Sequence, residues 1–395
     1  MSRIGDLPGA DTIRPANDRD GGILRTAFVD CHAPDAALRL ANTLRPADLA
    51  MVILFVSPAT DLDRFLPDAT SALAPARVVG CTTAGEIGQS GYTEGQIVAI
   101  GLPDAHFAAA TMLIDDLTTL HPQDLTAAMI RNRNALASTH PDWSSECAFL
   151  LVDGLSTRED ALASELALGL GPVPLFGGSA GDGETFGTTW ILHDGQRHTN
   201  AAVLIQMRSD CPIRVFKTDH LQPTDRRMVV TGADPARRLV HEINAEPAAR
   251  EYARLLGKDP EHLSTFTFAA HPVVVRIGDQ THVRAIQRVA ENGDLVFFSA
   301  IDEGVVLRLA EPEDMVAHLD RELRALSDDG PPDMILACDC LLRRVEAEQK
   351  QLTGDISRLL SRHRAVGFST YGEQVNSMHV NQTLTGMAIY PPKTR

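Results

Sequence analysis

The chain has 395 residues, of which 44% are hydrophobic and 22% are charged, and its formal net charge is -16. A chain of this length can form about two or three domains with substantial cores, and the composition is that of a globular protein. The negative charge repels phosphate groups and no basic patch offsets it, which argues against nucleic acids and anionic membranes as partners.

No segment of the sequence predicts a membrane anchor. The longest apolar runs, at 49–56 and 201–207, fall well short of the roughly 20 residues that a spanning helix requires. The first 22 residues are polar and do not resemble a signal peptide, so we expect a cytoplasmic protein. The six cysteines are dispersed, as expected of reduced thiols. Cys338 and Cys340 are expected to be buried structural cysteines, while metal binding or oxidant sensing at this pair stays open.

Residues 1–22 are rich in Gly, Pro, Asp and Arg and are predicted to form a flexible leader. Ser156 and Glu159 have the spacing of a capping box ahead of a helix. Apolar periodicity predicts further helices at 33–44 and 125–137. It predicts strands at 51–57, 77–80, 96–102, 108–114, 147–152, 173–176, 201–207 and 213–216, with the last two suggesting a hairpin.

The composition changes near 226–234, and we place the domain boundary there, with an N-terminal domain at 23–230 and a C-terminal domain at 231–395. Asp234 and Pro235 are favoured at a helix start and predict a helix through Leu239 and Ile243. Asn292 and Gly293 predict a hairpin. Further helices are predicted at 247–256, 314–326 and 341–363, and strands at 265–268, 273–277, 283–289, 295–300 and 334–338. The predicted fold class is α/β (α+β), with two related domains of mixed sheet and helix.

A glycine-rich motif occurs three times in the sequence. Residues 79–86 (VGCTTAGE) and 366–373 (VGFSTYGE) share one eight-residue pattern, and 176–182 (FGGSAGD) is a shorter variant. Each copy follows a helical stretch and a short strand, so each brings exposed NH groups and an acidic side chain to a tight turn. One copy alone is most simply a turn, whereas the two long copies predict two halves built on a related plan.

The stretch 366–390 carries a dense set of polar side chains between apolar flanks. Period-two spacing from Met378 onward places His379, Asn381, Thr383 and Thr385 on one face of an extended segment. Aliphatic residues fall on the other face. The polar face would meet either a ligand or solvent, and the spacing alone favours solvent.

Several motifs, in order, resemble the FIST sensory domains, both N-terminal and C-terminal. They are DGLS at 153–156, GGSAGD at 177–182, RAIQRV at 284–289, GDLVFFSAIDEGVVL at 293–307, CDCLLRR at 338–344 and GFSTYGEQ with HVNQT at 367–383. The resemblance covers about residues 25–390, and MHVNQT is most similar to the nitric-oxide-sensing NosP group. It implies a sensor without catalytic activity that binds non-covalent heme b, responds to nitric oxide and regulates a histidine kinase or a cyclic-di-GMP enzyme (diguanylate cyclase or phosphodiesterase).

If heme binds, His379 is the first candidate for the axial ligand, because neutral imidazole is a good iron ligand. His271 and Cys211 are weaker rivals, and the lack of a CxxCH motif excludes the usual covalent c-type attachment. Release of His379 by nitric oxide would then move its strand. We expect the glycine-rich motifs and the final segment to line the ligand site, through Gly177, Gly178, Ser179, Asp182, Tyr371, Glu373, Asn376, Asn381 and Thr383.

Two other functions stay open. A small amino-acid-like ligand could be held without heme by Asp182, Glu373 and the NH groups of the glycine turns. Residues 177–181 also satisfy G-x-S-x-G, the pattern of a serine hydrolase with Ser179 as nucleophile. The residues after Ser179 do not predict the helix that such a nucleophile requires. The partner, the oligomeric state, including a homodimer, and the redox and coordination state of a heme stay open.

Overall fold

The computed structural model describes residues 22–277 and 280–392. The predicted leader at 1–22 therefore lies outside the described residues, apart from Gly22. Within the described part of the chain, no helix is both long enough and apolar enough to cross a membrane. Strands and helices alternate along the chain in mixed sheets, so the α/β (α+β) fold class is confirmed.

The 26 strands of the described residues belong to four sheets. In chain order they are β1 (Arg25–Asp30), β2 (Leu49–Val56), β3 (Arg77–Thr82), β4 (Glu86–Gly88), β5 (Gly91–Thr93), β6 (Gln96–Pro103), β7 (Phe107–Ile114), β8 (Ser145–Val152), β9 (Leu175–Ser179), β10 (Ile191–His193), β11 (Gln196–His198), β12 (Ala202–Ser209), β13 (Ile213–Thr218), β14 (Leu221–Asp234), β15 (Leu239–Ile243), β16 (Glu246–Pro247), β17 (Val273–Ile277), β18 (Gln280–Val283), β19 (Ile286–Val289), β20 (Leu295–Phe297), β21 (Val306–Pro312), β22 (Met334–Cys340), β23 (Ala365–Thr370), β24 (Glu373–Val375), β25 (Met378–Val380) and β26 (Leu384–Ile389).

The α-helices of the same residues cover the sheets or connect their strands. They are α1 (Ala36–Leu44), α2 (Leu62–Ala72), α3 (Pro122–Thr139), α4 (Glu159–Leu170), α5 (Ala248–Leu256), α6 (Thr265–Ala270), α7 (Met315–Ala325), α8 (Leu341–Gln349) and α9 (Thr353–Arg362).

Local sequence explains several of these boundaries. Asp314 begins α7 because its carboxylate accepts hydrogen bonds from the NH groups of Val316 (3.0 Å) and Ala317 (2.9 Å), which have no partner within the helix. Gly257 ends α5 in the left-handed conformation, at φ 68°, which glycine adopts without steric cost. The predicted helices at 33–44, 125–137, 247–256 and 314–326 are confirmed, and the stretch 341–363 divides into α8 and α9.

Three of the sheets share one strand order. Each contains two parallel strands connected through helix: β2 with β3, β8 with β9, and β22 with β23. The first strand of each pair has an antiparallel neighbour (β6, β12 or β26), and a further antiparallel strand (β1, β7 or β13) forms the edge. The chain therefore repeats one sheet plan three times, where the sequence motif predicted two related halves.

A β-hairpin completes each of these sheets, and it comes from a different repeat. The hairpin β4–β5 follows β3 and pairs with β23, while β24–β25 follows β23 and pairs with β9. The hairpin β10–β11 follows β9 and pairs with β3. The three glycine-rich motifs lie at these crossing points, where the chain leaves one sheet and enters the next. Two of the three exchanges span the predicted domain boundary at 230/231, and β14 runs through it.

The motif's first glycine is explained by close approach of neighbouring strands. A Cβ atom at Gly80, Gly177 or Gly367 would lie 2.2, 2.3 or 1.8 Å from a carbonyl oxygen of the adjacent parallel strand. Only glycine fits at such a distance.

The largest apolar core lies between the three related sheets and contains side chains from each of them. At its centre, Phe55 stacks on Phe368 with ring centroids 4.4 Å apart, and Phe149 stacks on Phe176 at 4.6 Å. Buried aromatic rings of this kind dominate the stabilising free energy of a core. The three sheets thus share one core.

The fourth sheet has the order β18-β17-β21-β14-β15-β20-β19, with β16 beside β15. It has its own core, in which α5 and α6 contribute Tyr252 and Phe268. A separate apolar cluster joins this sheet to the rest of the molecule: Phe298, directly after β20, packs against Tyr371 and shares the cluster with Leu341 of α8. The glycine-rich turn at Tyr371 therefore lies against the fourth sheet.

Several predicted elements are wrong. The residues after Pro235 form a short 3-10 turn and then β15, because Leu239, Val240 and Ile243 have helical spacing but pair with β14 across a bulge. The segment predicted as a strand at 265–268 is α6, in which Ser264 and Thr267 form a capping box. The strands β12 and β13 belong to different sheets and do not form a hairpin.

Two further local predictions also differ from the structure. Helix α4 begins at Glu159 without a capping side chain, so Ser156 and Glu159 do not form a capping box. The final segment is not one extended strand with a solvated face. It bends at residues 381–383 between β25 and β26, which lie in different sheets, and every residue from His379 to Ile389 is buried.

Candidate ligand site

The two long motifs form the same hydrogen-bonded turn. Thr83 Oγ1 donates to Glu86 Oε1 (2.6 Å), and Thr370 Oγ1 donates in the same way to Glu373 Oε1. The second carboxylate oxygen accepts from the NH group ten residues later, at Gln96 in one copy and at Thr383 in the other (3.3 Å). The sequence repeat therefore predicts a real structural repeat, and Glu373 and Thr383 hold the turn together.

Burial controls the charge of these glutamates. Desolvation raises the pKa of Glu373 to about 8 and also raises the pKa of Glu86, because neither carboxylate is compensated by a nearby cation strongly enough. Thr383 Oγ1 donates to Glu373 Oε2 at 2.6 Å. Both oxygens of Glu373 are thus engaged within the protein.

Asp182 and Tyr371, two predicted ligand residues, bind each other. The Tyr371 hydroxyl donates to Asp182 Oδ1, and the Asp182 carboxylate also accepts from the NH groups of Phe186 (2.8 Å), Gly187 (2.8 Å) and Thr188 (2.7 Å). These bonds saturate the carboxylate, so Asp182 organises its own loop.

Ser179 is the last residue of β9 and is completely buried. Its hydroxyl oxygen accepts a hydrogen bond from Gln374 Nε2 at 2.9 Å. No helix follows among the described residues 180–190, as expected from the sequence, so the context of a nucleophile elbow is missing. Gly177 and Gly178 lie in the same strand, where a Cβ atom would meet the backbone of Leu150 at Gly177 and the side chains of Thr370 and Phe368 at Gly178.

The other predicted residues of the final segment lie in three environments. Asn376 is exposed in the two-residue turn of the β24–β25 hairpin, with φ 53°. Thr383 belongs to the Glu373 turn. His379 and Asn381 lie in the interior and face the backbone of Gly372.

We call Gln374, His379 and Asn381 the amide–imidazole cluster. A Cβ atom at Gly372 would lie 2.8 Å from His379 Nε2 and 2.7 Å from Asn381 Nδ2, so these two nitrogens converge on one point. Gln374 Nε2 lies 3.0 Å from His379 Nδ1. All three side chains are at least 98% buried, yet His379 Nε2, both amide atoms of Asn381 and Gln374 Oε1 have no hydrogen-bond partner among the described residues.

Charged side chains lie beside this cluster. Arg238 donates to Glu159 Oε2 (2.6 Å) and Asp160 Oδ2 (3.1 Å), both in the first turn of α4, and α4 contacts β25. Arg284 is mostly buried, and none of the ion pairs formed by the described residues includes it. Burial is the main cause of the lowered pKa of His379. Asp160 and Glu159 oppose this shift, while Arg238 and Arg284 add to it. The imidazole is therefore neutral at pH 7.

The environment of His379 does not fit a heme in this conformation. Gln374 Nε2 lies 3.0 Å from Nδ1. With the amide in this orientation the imidazole proton is on Nε2, whereas an iron ligand needs a free lone pair there. The Nε2 edge also packs against Gly372, and the nearby side chains are amides and charged groups where a porphyrin needs an apolar slot. The opposite orientation of the Gln374 amide would put the proton on Nδ1 and leave Nε2, which has no partner among the described residues, free for ligation.

The donor set of the cluster suits a small polar molecule. His379 Nε2 and Asn381 Nδ2 offer N–H donors, and Asn381 Oδ1 offers an acceptor. A carboxylate or a carboxamide can accept from both nitrogens, and a carboxamide can also donate to the Asn381 oxygen.

A separate pocket of about 420 Å³ lies at the first motif, lined in part by Gly85, Glu86, Glu184 and Arg344. Arg344 donates to Glu94 Oε1 at 2.9 Å and to Glu348 Oε1 at 3.2 Å, so its charge is balanced inside the protein. Gly85 and Gly372 occupy the same position in the two long motifs. A Cβ atom would clash with the Arg344 side chain at Gly85 and with the His379 side chain at Gly372. The pocket is the counterpart of the amide–imidazole cluster in the first repeat.

A chain of buried charges connects the fourth sheet to the third repeat. Arg343 Nε donates to Asp339 Oδ1 (2.8 Å), and Arg343 Nη1 lies 2.9 Å from His220 Nδ1. His220 Nε2 lies 2.9 Å from Glu346, and the Tyr92 hydroxyl donates to Asp339. The charged members are fully buried, so each depends on the others for charge compensation.

The rival heme ligands lie elsewhere. His271 is half-buried at the end of α6, and Cys211 is buried in the connection between β12 and β13. Cys338 and Cys340 are buried in β22, and desolvation raises the pKa of both thiols, as expected of structural cysteines.

Sequence reasoning missed Gln374, which links Ser179 to His379, and the Arg238–Glu159 pair beside the cluster. Gln374 directly follows the motif glutamate and could have been found from that position. The partners of Arg238 depend on tertiary contacts, for which the local sequence contains no signal.

Comparison with protein families gives matches over most of the chain. Residues 50–246 match the FIST N domain, and residues 248–376 match the FIST C domain. No curated protein matches the chain.

Proposed function

Since this chain belongs to the FIST family of sensory proteins, we propose that it is a signal-transduction sensor for a small polar ligand bound at the amide–imidazole cluster. The observation that carries this proposal is the concentration of buried polar atoms without partners in His379, Asn381 and Gln374. Each such atom costs about 1–3 kcal/mol of stability. A ligand that forms the missing hydrogen bonds recovers this free energy.

The N–H donors of the amide–imidazole cluster favour a ligand with a carboxylate or carboxamide group. Asp182 and Glu373 are saturated by internal hydrogen bonds, which argues against the amino-acid-like ligand being held by these two carboxylates. Arg238 and Arg284 lower the pKa of His379 while Asp160 and Glu159 raise it, so both signs of charge lie near the cluster and the neighbouring charges do not select the ligand. An amino-acid-like ligand would present its carboxylate to the N–H donors of the cluster.

The hairpin exchange offers a route for the signal. Gln374 and His379 lie on the β24–β25 hairpin and Asn381 directly follows it. The hairpin is continuous in sequence with β23 but pairs with β9 of another repeat. A ligand that draws His379 and Asn381 together would shift this hairpin relative to both sheets. We propose that a partner, a histidine kinase or a cyclic-di-GMP enzyme, reads that shift.

The test is ligand binding by the full chain and by matched variants. Small carboxylates, carboxamides and amino acids are screened by calorimetry, and native mass spectrometry is used to identify a co-purified molecule. Asn381→Ala is expected to abolish binding, while Asn376→Ala, which changes an exposed asparagine of the same hairpin, retains it. Binding that survives Asn381→Ala but is lost in Arg344→Ala would contradict the proposed site and favour the pocket at Gly85.

Heme binding with nitric oxide sensing is the second hypothesis, supported by His379 Nε2, which lacks a partner among the described residues. The full chain is reconstituted with hemin, and absorption spectra are recorded with and without nitric oxide. The hypothesis requires a Soret band that shifts with nitric oxide and is lost in His379→Ala but kept in His271→Ala. A wild type that takes up no heme, or an unchanged band in His379→Ala, removes His379 from that role.

A further inference from the structure

A histidine, an aspartate and a cysteine meet at the connection between the second and third repeats. His106 lies in the turn between β6 and β7, and Asp210 and Cys211 lie between β12 and β13. One nitrogen of His106, one carboxylate oxygen of Asp210 and Cys211 Sγ all lie within 4.8 Å of one another. We propose that these three side chains bind a divalent metal ion of the zinc class.

Two of the three separations between ligand atoms are close to those of a tetrahedral site. Zinc–ligand bonds of about 2.0–2.3 Å separate neighbouring ligand atoms by roughly 3.3–3.8 Å. His106 Nδ1 lies 3.1 Å from Asp210 Oδ1, and Cys211 Sγ lies 3.5 Å from the same oxygen. Small side-chain rotations would admit the ion, with the fourth position open to water.

The chemistry of the three ligands selects the ion. Imidazole nitrogen, carboxylate oxygen and thiolate sulfur together suit a borderline-soft ion such as Zn²⁺, whereas Mg²⁺ and Ca²⁺ require oxygen ligands. The thiol proton passes to solvent as the sulfur binds the metal. The side chains of His106 and Asp210 are about one-third exposed, at 34% and 33%, while Cys211 is fully buried, so the ion would enter from the solvent side.

Ser209 holds the two loops in register. Its hydroxyl donates to the carbonyl oxygen of His106 at 2.7 Å and accepts from the NH group of Cys211 at 3.0 Å. The backbones that carry two of the three ligands are therefore fixed to one side chain, which is the role of an outer partner in a metal site. Asp333, a nearby carboxylate, is held by Arg364 (2.9 Å) and by the NH group of Ile23 (2.7 Å) and stays outside the ligand set.

The alternative is a partly exposed histidine–aspartate ion pair next to a structural cysteine. Such a pair contributes little stability and needs no thiol. Thiolate coordination therefore distinguishes the two explanations, and Co²⁺ reports it, because a cobalt–thiolate bond has a charge-transfer absorption band that nitrogen and oxygen ligands do not produce.

The test uses the full chain, reduced and freed of metal by a chelator, and titrated with Co²⁺. We expect a cobalt–thiolate band that saturates at one equivalent and is displaced by Zn²⁺. Cys211→Ser should lose the band. His106→Ala changes a partly exposed side chain, so its circular dichroism should match that of the wild type, and it should weaken Co²⁺ affinity at least tenfold. Ser209→Ala should weaken it by about 10-fold through loss of positioning.

Cys31→Ser serves as the control, since it removes a buried cysteine outside the site, and it should keep both the band and the affinity. The absence of a cobalt–thiolate band in the wild type would overturn the proposal. A band that persists unchanged in His106→Ala and Cys211→Ser would also overturn it. If Cys211→Ser does not fold, the affinity of His106→Ala decides the outcome.

Discussion

Replacement of Asn381 by leucine should make the ligand-free protein more stable. Core substitutions usually destabilise, by around 1 kcal/mol on average, so this prediction inverts the usual sign. The reason is that Asn381 is completely buried while its Oδ1 and Nδ2 have no partners in the described part of the chain. Removing two such atoms recovers about 1–3 kcal/mol for each.

Leucine brings a cost of its own. It is bulkier than the amide, and Asn381 Nδ2 already lies 2.7 Å from the position of a Cβ atom at Gly372. Overpacking of this kind costs about 1–3 kcal/mol. The net expectation is a gain of about 1–3 kcal/mol in the free energy of unfolding, together with loss of ligand binding.

The choice of assay follows from the chain length. For 395 residues, the entropy of unfolding is so large that 1 kcal/mol shifts Tm by only roughly 1 °C. Equilibrium urea denaturation at constant pH is the better measurement, and a higher midpoint at an unchanged m-value reports the gain.

Thr383→Val is the matched control in the same bend. It removes the hydroxyl that donates to buried Glu373 at 2.6 Å, so it should cost about 1–3 kcal/mol. If Asn381→Leu instead loses 1 kcal/mol or more in a folded protein, the amide has a structural role and the case for a ligand at this point fails.

Three further predictions concern neighbouring features. Burial raises the pKa of Glu373 from 4.5 to about 8, so the folded protein favours the protonated carboxyl group. The contribution of Glu373 to the free energy of unfolding is therefore full below pH 4.5 and is lost as the pH rises to 8. Urea denaturation should show that the free energy of unfolding of the wild type falls by about a few kcal/mol relative to that of Glu373→Gln between pH 5 and pH 9. A difference between the two proteins that does not change with pH would contradict the burial effect. Gly372→Ala would place Cβ 2.4 Å from His379 Cε1 and should abolish ligand binding, whereas Gly183→Ala, also at positive φ but in open space, should only lower stability, by about 1 kcal/mol. Arg343→Leu should cost about 3–5 kcal/mol by leaving Asp339 buried and unpaired, and adding Asp339→Leu should restore part of it in the same assay, which a purely steric effect would not do.

The sequence predicts local structure well where one pattern dominates. Asp314 and the apolar stripe behind it determine α7, and Gly257 determines the end of α5. The pattern fails at Leu239–Ile243, because buried residues at helical spacing can equally face one side of a bulged strand. It fails again after His379, where a bend sends the chain into another sheet and buries both faces.

The candidate site was only partly predictable. His379 and Asn381 stand out because polar side chains occur among apolar neighbours. The roles of Asp182 and Glu373 could not be predicted, because a sequence does not show whether a carboxylate is already engaged by nearby NH and OH groups. The second repeat was also hard to detect, since its motif at 176–182 lacks the threonine and glutamate that define the turn in the other two copies.

The hairpin exchange has a consequence for how the chain matures on the ribosome. β4–β5 is synthesised early, yet its sheet partner β23 emerges only when most of the chain has been made. The edge of strand β9 likewise stays unpaired until β24 has been synthesised. Unpaired edges invite pairing with other chains, so we expect the nascent protein to depend on chaperones and fragments cut at residue 230 to aggregate when made alone. Co-expression of the two fragments should rescue both, since each supplies the strands that the other lacks.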